Sequence, residues 1–167
     1  MKNSYYTFPV LLILLAAVGC FQSGCIGYKL GSMLPDGIRS VYIPTFVNNT
    51  DEPLLEVETT QAVIAEIQRD GSLRVAEENA ADSILTVSLE NFTLNPLRFD
   101  DIKATQAREY RLTITASIKL VRVANNQIIV ENPRVQGEST FEFIGDLTTS
   151  KRRETPAAAR DLAPDIV

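Results

Sequence analysis

The chain holds two thiols, Cys20 and Cys25, and Cys20 stands where a thiol is used for acylation. It follows Phe8-Pro9-Val10-Leu11-Leu12-Ile13-Leu14-Leu15-Ala16, an uncharged apolar run behind Lys2, and then the small residues Ala17-Val18-Gly19. The run is shorter than the roughly 20 apolar residues of a bilayer span and suits the core of a cleaved export signal. Small residues ahead of the cysteine let an extended segment enter a peptidase groove, and the thiol then takes a diacylglycerol. Two or three acyl chains anchor stably where one is marginal. Cys25, behind Gln22-Ser23-Gly24, is the alternative acceptor. A Cys20–Cys25 disulfide is the competing structural use, but cleavage before Cys20 would leave that pair at a chain tip with no core to staple. The expected division is a signal peptide over 1–19, a lipidated N-terminus and linker over 20–37, and one domain over 38–167.

Other chemistry is hard to build from this composition. There is no histidine, which excludes histidine-based triads, zinc sites with histidine ligands and the usual acid–base group near neutral pH. The neighbouring acids Glu77-Glu78 and Asp100-Asp101 fall in polar segments, whereas catalytic carboxylate pairs converge from separate places in a pocket. No nucleophile elbow, phosphate loop or Cys-x-x-Cys motif is present. The chain therefore reads as a non-enzyme that needs neither cofactor nor metal and works by binding. A net charge of −5 makes it a poor nucleic-acid binder. Arg98, Lys103, Arg108, Arg111, Lys119 and Arg122 lie on or beside one expected hairpin. A local cluster of such cations beside an apolar rim would suit an anionic amphiphile, and arginine grips phosphate through a bidentate fork.

Six patterned segments must position these groups. Residues 38–46 read as a strand with Val41, Ile43 and Thr45 on one face, and Pro44, which cannot donate a ladder hydrogen bond, places at least that end at an edge. Residues 52–70 have helical spacing, with Leu54, Val57, Val63, Ile64 and Ile67 near one stripe and Gly71 as the stop. Leu73-Arg74-Val75 is a short extended piece. Residues 84–94 alternate until the apolar phase slips to Phe92 and Leu94, which predicts a bulge near Glu90 and Asn91. A long connection is expected over 95–107. Residues 110–123 show the clearest period-2 alternation, Tyr110, Leu112, Ile114, Ala116, Ile118 and Leu120 against Arg111, Thr113, Thr115, Ser117 and Lys119. Asn125-Asn126 turns the chain into a strand over 128–143 that is irregular at Pro133. Thr155-Pro156 reads as the start of a short or kinked last helix, interrupted by Pro164. The predicted fold is α+β: a two-layer sandwich of a four-stranded mixed sheet with two helices on one face, in the order β-α-β-β-β-α.

After the cysteines come Gly27-Tyr28-Lys29-Leu30-Gly31-Ser32, Leu34-Pro35, the segment from Ile38 to Thr50, and Glu52-Pro53-Leu54-Leu55-Glu56. Arg69-Asp70-Gly71, Ala80-Ala81-Asp82, Glu109-Tyr110-Arg111-Leu112 and Asp161-Leu162-Ala163 follow in that order. Together these segments resemble the LptE family of lipopolysaccharide-assembly lipoproteins. The resemblance implies a protein held by its lipid on the periplasmic face of the outer membrane. Such a protein plugs and stabilises the LptD-like β-barrel of the lipopolysaccharide translocon and binds lipopolysaccharide. On this reading the candidate lipopolysaccharide contacts are Arg98, Lys103, Arg108, Arg111 and Lys119, and the 95–107 loop is the candidate barrel contact. The alternative is another outer-membrane lipoprotein with a similar first strand, one that activates a peptidoglycan synthase or builds a secretion-pore ring.

Overall fold

The computed structural model describes residues 34–35, 37–99 and 107–167. The elements run β1 (Ser40–Tyr42), β2 (Val47–Asn48), α1 (Leu55–Asp70), β3 (Arg74–Val75), a 3-10 turn (Glu78–Ala80), β4 (Ser83–Phe99), β5 (Ala107–Arg122), β6 (Ile128–Glu142) and α2 (Leu147–Ile166). They form the expected α+β arrangement, with six strands in place of four. The sheet order is β3-β1-β4-β5-β6, with β2 also against β4. β1 is parallel to β3 and β4, and β4, β5 and β6 form the antiparallel meander.

The single strand expected over 38–46 is two short ones. Pro44 interrupts the ladder, and the chain re-pairs at Val47 opposite Ser88. Ile43 and Phe46 are both buried, while Thr45 is exposed, so the apolar phase slips by one residue across the proline. β1 itself lies inside the sheet, between β3 and β4. Its start is locked to β4 by Asp82, whose Oδ2 accepts from the Ser40 hydroxyl at 2.7 Å and from the Ser40 and Arg39 N–H groups at 3.0 and 3.1 Å. The buried Ser83 hydroxyl donates to the Ser40 carbonyl at 2.9 Å.

α1 starts three residues later than its spacing suggests, and this turns its buried stripe. Leu54 takes a left-handed φ of 63° at the N-cap and is 68% exposed. The helix then buries Leu55, Thr59, Val63 and Ile67, an i, i+4 series, and leaves Val57 exposed. Thr59 fits the apolar stripe because its hydroxyl donates to the Leu55 carbonyl at 2.7 Å, which removes the cost of burying it. In place of a side-chain cap, Asn48 Nδ2 donates to the Glu52 carbonyl and to Glu56 Oε2, both at 2.8 Å. Gly71, at φ 73°, closes the helix with its N–H on the Ile67 carbonyl.

The bulge falls between Leu89 and Asn91. It shifts Phe92 and Leu94 into line with Leu85, Val87 and Leu89, opposite Ile114 and Leu112. Within the 95–107 segment the described residues are strand: Asn95 to Phe99 extend β4 and Ala107 opens β5. Two strands can stay paired where little is buried, because the backbone ladder holds them out to the Phe99–Ala107 pair. The irregularity expected at Pro133 lies between the Asn132 and Val135 pairings.

α2 is a 20-residue helix, capped by Asp146, whose carboxylate accepts from the Thr149 N–H at 2.7 Å. It passes through Pro156 and Pro164, neither of which starts or ends it. The reason is register. Pro156 and Pro164 share an i+4 row with Arg152 and Arg160, which are exposed, and the carbonyls freed by the missing N–H groups are those of residues 152 and 160. The opposite stripe, Thr155, Ala158, Ala159, Leu162, Ala163 and Ile166, is buried. Gly137 on β6 lets this helix sit against the strand: a Cβ there would stand 2.4 Å from the Ala158 carbonyl oxygen and the Leu162 nitrogen. Beside it, Asp161 Oδ2 accepts from the Glu138 N–H at 2.8 Å, so one donor of this edge strand is covered.

Candidate functional site: the open sheet face and its hairpin end

The meander buries one face and presents the other. Along the open face, cross-strand rows read Thr86–Lys119–Glu131, Asn91–Thr115–Gln136, Thr93–Thr113–Glu138 and Asn95–Arg111–Thr140. The rows are built from hydroxyls, amides and opposite charges. Gln136 Nε2 donates to Thr115 Oγ1 at 3.0 Å, and the Ser117 hydroxyl donates to Glu90 Oε1 at 3.0 Å. Lys119 pairs with Glu131 at 2.8 Å and Arg111 with Glu138 at 3.5 Å. Arg98 pairs with Glu109 across the hairpin at 2.7 Å. All three are surface pairs of small energetic weight, but they leave this face close to neutral.

The five basic candidates are therefore not one cluster. Arg98, Arg108 and Arg111 come together toward the far end of the β4–β5 hairpin, while Lys119 lies eight residues along β5 from Arg111, about 26 Å away at strand spacing. Arg108 is exposed, and among the described residues no carboxylate pairs with it. Lys103 lies outside the described residues, as do Asp100 and Asp101 and both lipidation candidates, Cys20 and Cys25. Around the arginines the hairpin end is apolar: Leu97, Phe99 and Ile144 are 42%, 49% and 67% exposed, and Tyr110 stacks on Phe141 with ring centres 5.9 Å apart.

A second feature was not legible in the residues. A cleft of about 560 Å³ opens between the β2–α1 connection, the bulge and the start of α2, with Asn49, Glu52, Glu90, Phe92 and Lys151 on its walls. Lys151 bonds to Glu52 and lies 5.7 Å from the Phe92 ring centre, so it joins three elements. In sequence it is one cation of Lys151-Arg152-Arg153, and its spacing to Glu52 across 99 residues carries no local signal. Among the described residues no group of acids or cysteines converges in a metal-holding cluster, and no helix is long and apolar enough to cross a membrane.

No curated protein sequence matches the chain. Solved structures do. A protein from Xanthomonas campestris aligns with a TM-score of 0.55 at 10% identity, covering 81% of this chain and 86% of that one. A candidate lipoprotein from Caulobacter crescentus aligns with a TM-score of 0.52 at 11% identity, covering 75% and 83%. A hypothetical protein from Chlamydia trachomatis aligns with a TM-score of 0.50 at 8% identity, covering 77% and 93%. Likeness at such identity is one of fold. The sequence model of the lipopolysaccharide-assembly family matches residues 38–167, the whole of the domain laid out above, and the chain belongs to the LptE family.

Proposed function

We propose that the chain is an outer-membrane lipoprotein, anchored on the periplasmic face through Cys20 or else Cys25. It plugs the β-barrel of a lipopolysaccharide translocon and binds lipopolysaccharide without catalysing a reaction. Family membership supports the assembly role. The observation that carries the plug is the open sheet face. The interior of a large outer-membrane barrel is polar and wet, and a surface of hydroxyls, amides and self-neutralised ion pairs enters it without stranding an unpaired charge. The hairpin serves the same end: residues 95–99 of β4 are all exposed, leaving a stiff two-stranded arm to reach into a lumen. Arg98, Arg108 and Arg111 at the arm's end, with Lys103 and the more distant Lys119, are the proposed contacts for the phosphates. A phosphate there competes with Glu109 and Glu138 for two of the guanidinium forks.

The test is co-purification. The tagged full chain is recovered from solubilised membranes, and a barrel-forming outer-membrane protein at one-to-one stoichiometry is the expected companion. Recovery of a peptidoglycan synthase, or of a ring of this chain alone, replaces the plug by the corresponding alternative.

A further inference from the structure

At the other end of the sheet from the hairpin arm, the core is open. A cleft of about 210 Å³ runs in between the end of α2 and the sheet, floored by Val41, Ile67, Leu85 and Leu120, all buried. Its rim is aliphatic as well: Leu34 and Leu73 are half-buried, and Val130 and Val167 are each 43% exposed. The polar lining consists of Asn132 and Asp165. For scale, an apolar cavity of about 150 Å³ stays dry and takes up benzene. This cleft therefore has room for an aliphatic group against an aliphatic floor, with its polar side chains limited to Asn132 and Asp165.

Leu34 on the rim says which aliphatic group. It is where the chain enters the domain from the segment that carries the lipidation site. From Cys20 to Leu34 is 14 residues, and from Cys25 it is nine. At about 3.5 Å per residue either cysteine is within about 50 Å of the cleft mouth. Covalent attachment makes entry of its acyl chain an intramolecular event, at an effective concentration on the order of millimolar. We propose that this cleft shelters one acyl chain of the protein's own lipidated cysteine while the protein is away from a membrane, and gives it up to the bilayer on arrival. The proposal rests on the lipid anchor proposed above.

The chain contains no tryptophan, so Val130→Trp on the rim is a single fluorescent reporter. It is made in the acylated full chain held in amphipol, and in the same chain with Cys20→Ala and Cys25→Ala. The probe is a brominated fatty acid, which quenches tryptophan at contact. The unacylated chain is expected to show saturable one-to-one quenching, lost at least tenfold when Leu73→Glu or the exposed Val167→Glu puts a carboxylate at the mouth. The acylated chain is expected to bind the probe at least tenfold more weakly, because the cleft is filled. Equal binding by both forms assigns the cleft to a foreign lipid, such as an incoming lipopolysaccharide chain, and overturns the proposal. Absence of quenching in the unacylated chain, with its fold intact by circular dichroism, overturns it too. The mass of the membrane-purified chain reads the anchor separately: an unmodified mass removes the anchor and this proposal together, and an acylated mass with either negative result removes the proposal alone.

Discussion

Replacing Gly137 by alanine tests the packing of α2 on the sheet, and its sign is informative. By backbone preference alone, alanine in a strand interior is more stable than glycine by about 0.5–1 kcal/mol. The structure reverses that. The added Cβ would meet the Ala158 oxygen and Leu162 nitrogen at 2.4 Å and the Leu162 Cβ at 2.5 Å, short of a comfortable carbon contact of about 3.5 Å. Two of these atoms are backbone, so no rotamer change relieves the clash, and α2 must retreat by about 1 Å. A gap of that size forfeits a quarter to a half of the dispersion well. For a buried leucine with about 40–60 contacts near 0.1 kcal/mol each, a quarter lost is roughly 1–1.5 kcal/mol. Leu162, Ala158, Ala159 and Ala163 are all fully buried, and all four move away from the sheet with the helix. The expected cost is about 3 kcal/mol, the upper end for overpacking, or a Tm lower by about 10 °C for a domain of this size. Urea unfolding followed by circular dichroism measures it. Gly145→Ala, at a φ of 76° with nothing within 4 Å, is the control and should cost about 1 kcal/mol from backbone strain alone. A Gly137→Ala protein as stable as its parent, or more so, refutes the close seating of the helix.

Four further variants probe other links. The Ser40 hydroxyl, then the Arg39 N–H, hold the Asp82 carboxyl below its ordinary range. A folded-state value depressed below the unfolded one stabilises above about pH 4 and loses that contribution as pH falls through the folded value. The stability gap between the parent and Asp82→Asn should therefore be constant above about pH 5 and close in acid; a gap that widens in acid contradicts the assignment. Asn48→Ala removes two bonds to the start of α1 and two to Thr50 and should cost about 1–2 kcal/mol in urea unfolding. Cys20→Ala should abolish acylation and release the protein from the outer membrane, as read by mass and fractionation; an acylated variant moves the anchor to Cys25. Arg108→Glu with Arg111→Glu should weaken lipopolysaccharide binding at least about tenfold with an unchanged unfolding midpoint, and unchanged binding places the lipid contact elsewhere.

The parts of the fold that were legible are those where one physical term dominates locally. β5 reads directly because its faces meet opposite environments, and the slip from Leu89 to Phe92 marks the bulge because only an extra residue restores the phase. Gly71 and Asn126 read correctly because a positive φ selects few residue types. The misreadings came where tertiary context decides. The stripe of α1 depends on where the helix begins, and that is set by Leu54 and by Asn48 six residues upstream. The length of β4 past Leu94 depends on a partner strand, since Pro96 and Arg98 do not look like strand residues alone. Pro156 suggested a helix start and Pro164 a break because periodicity does not say which row of a helix faces water. Of the candidate surface, the alternation placed Arg111 and Lys119 on the open face, but their glutamate partners come from β6, beyond any local window.

The two prolines also bear on where a partner can sit. The carbonyls of residues 152 and 160 have lost their ordinary intrahelical donors, and water can replace them as long as the outer side of α2 stays hydrated. A dry seal over that side would strand both oxygens. A tightly fitting companion is thus better received across the meander, where hydroxyls, amides and paired charges line the open face, and the outer row of α2 is left as the solvent-washed back of the molecule.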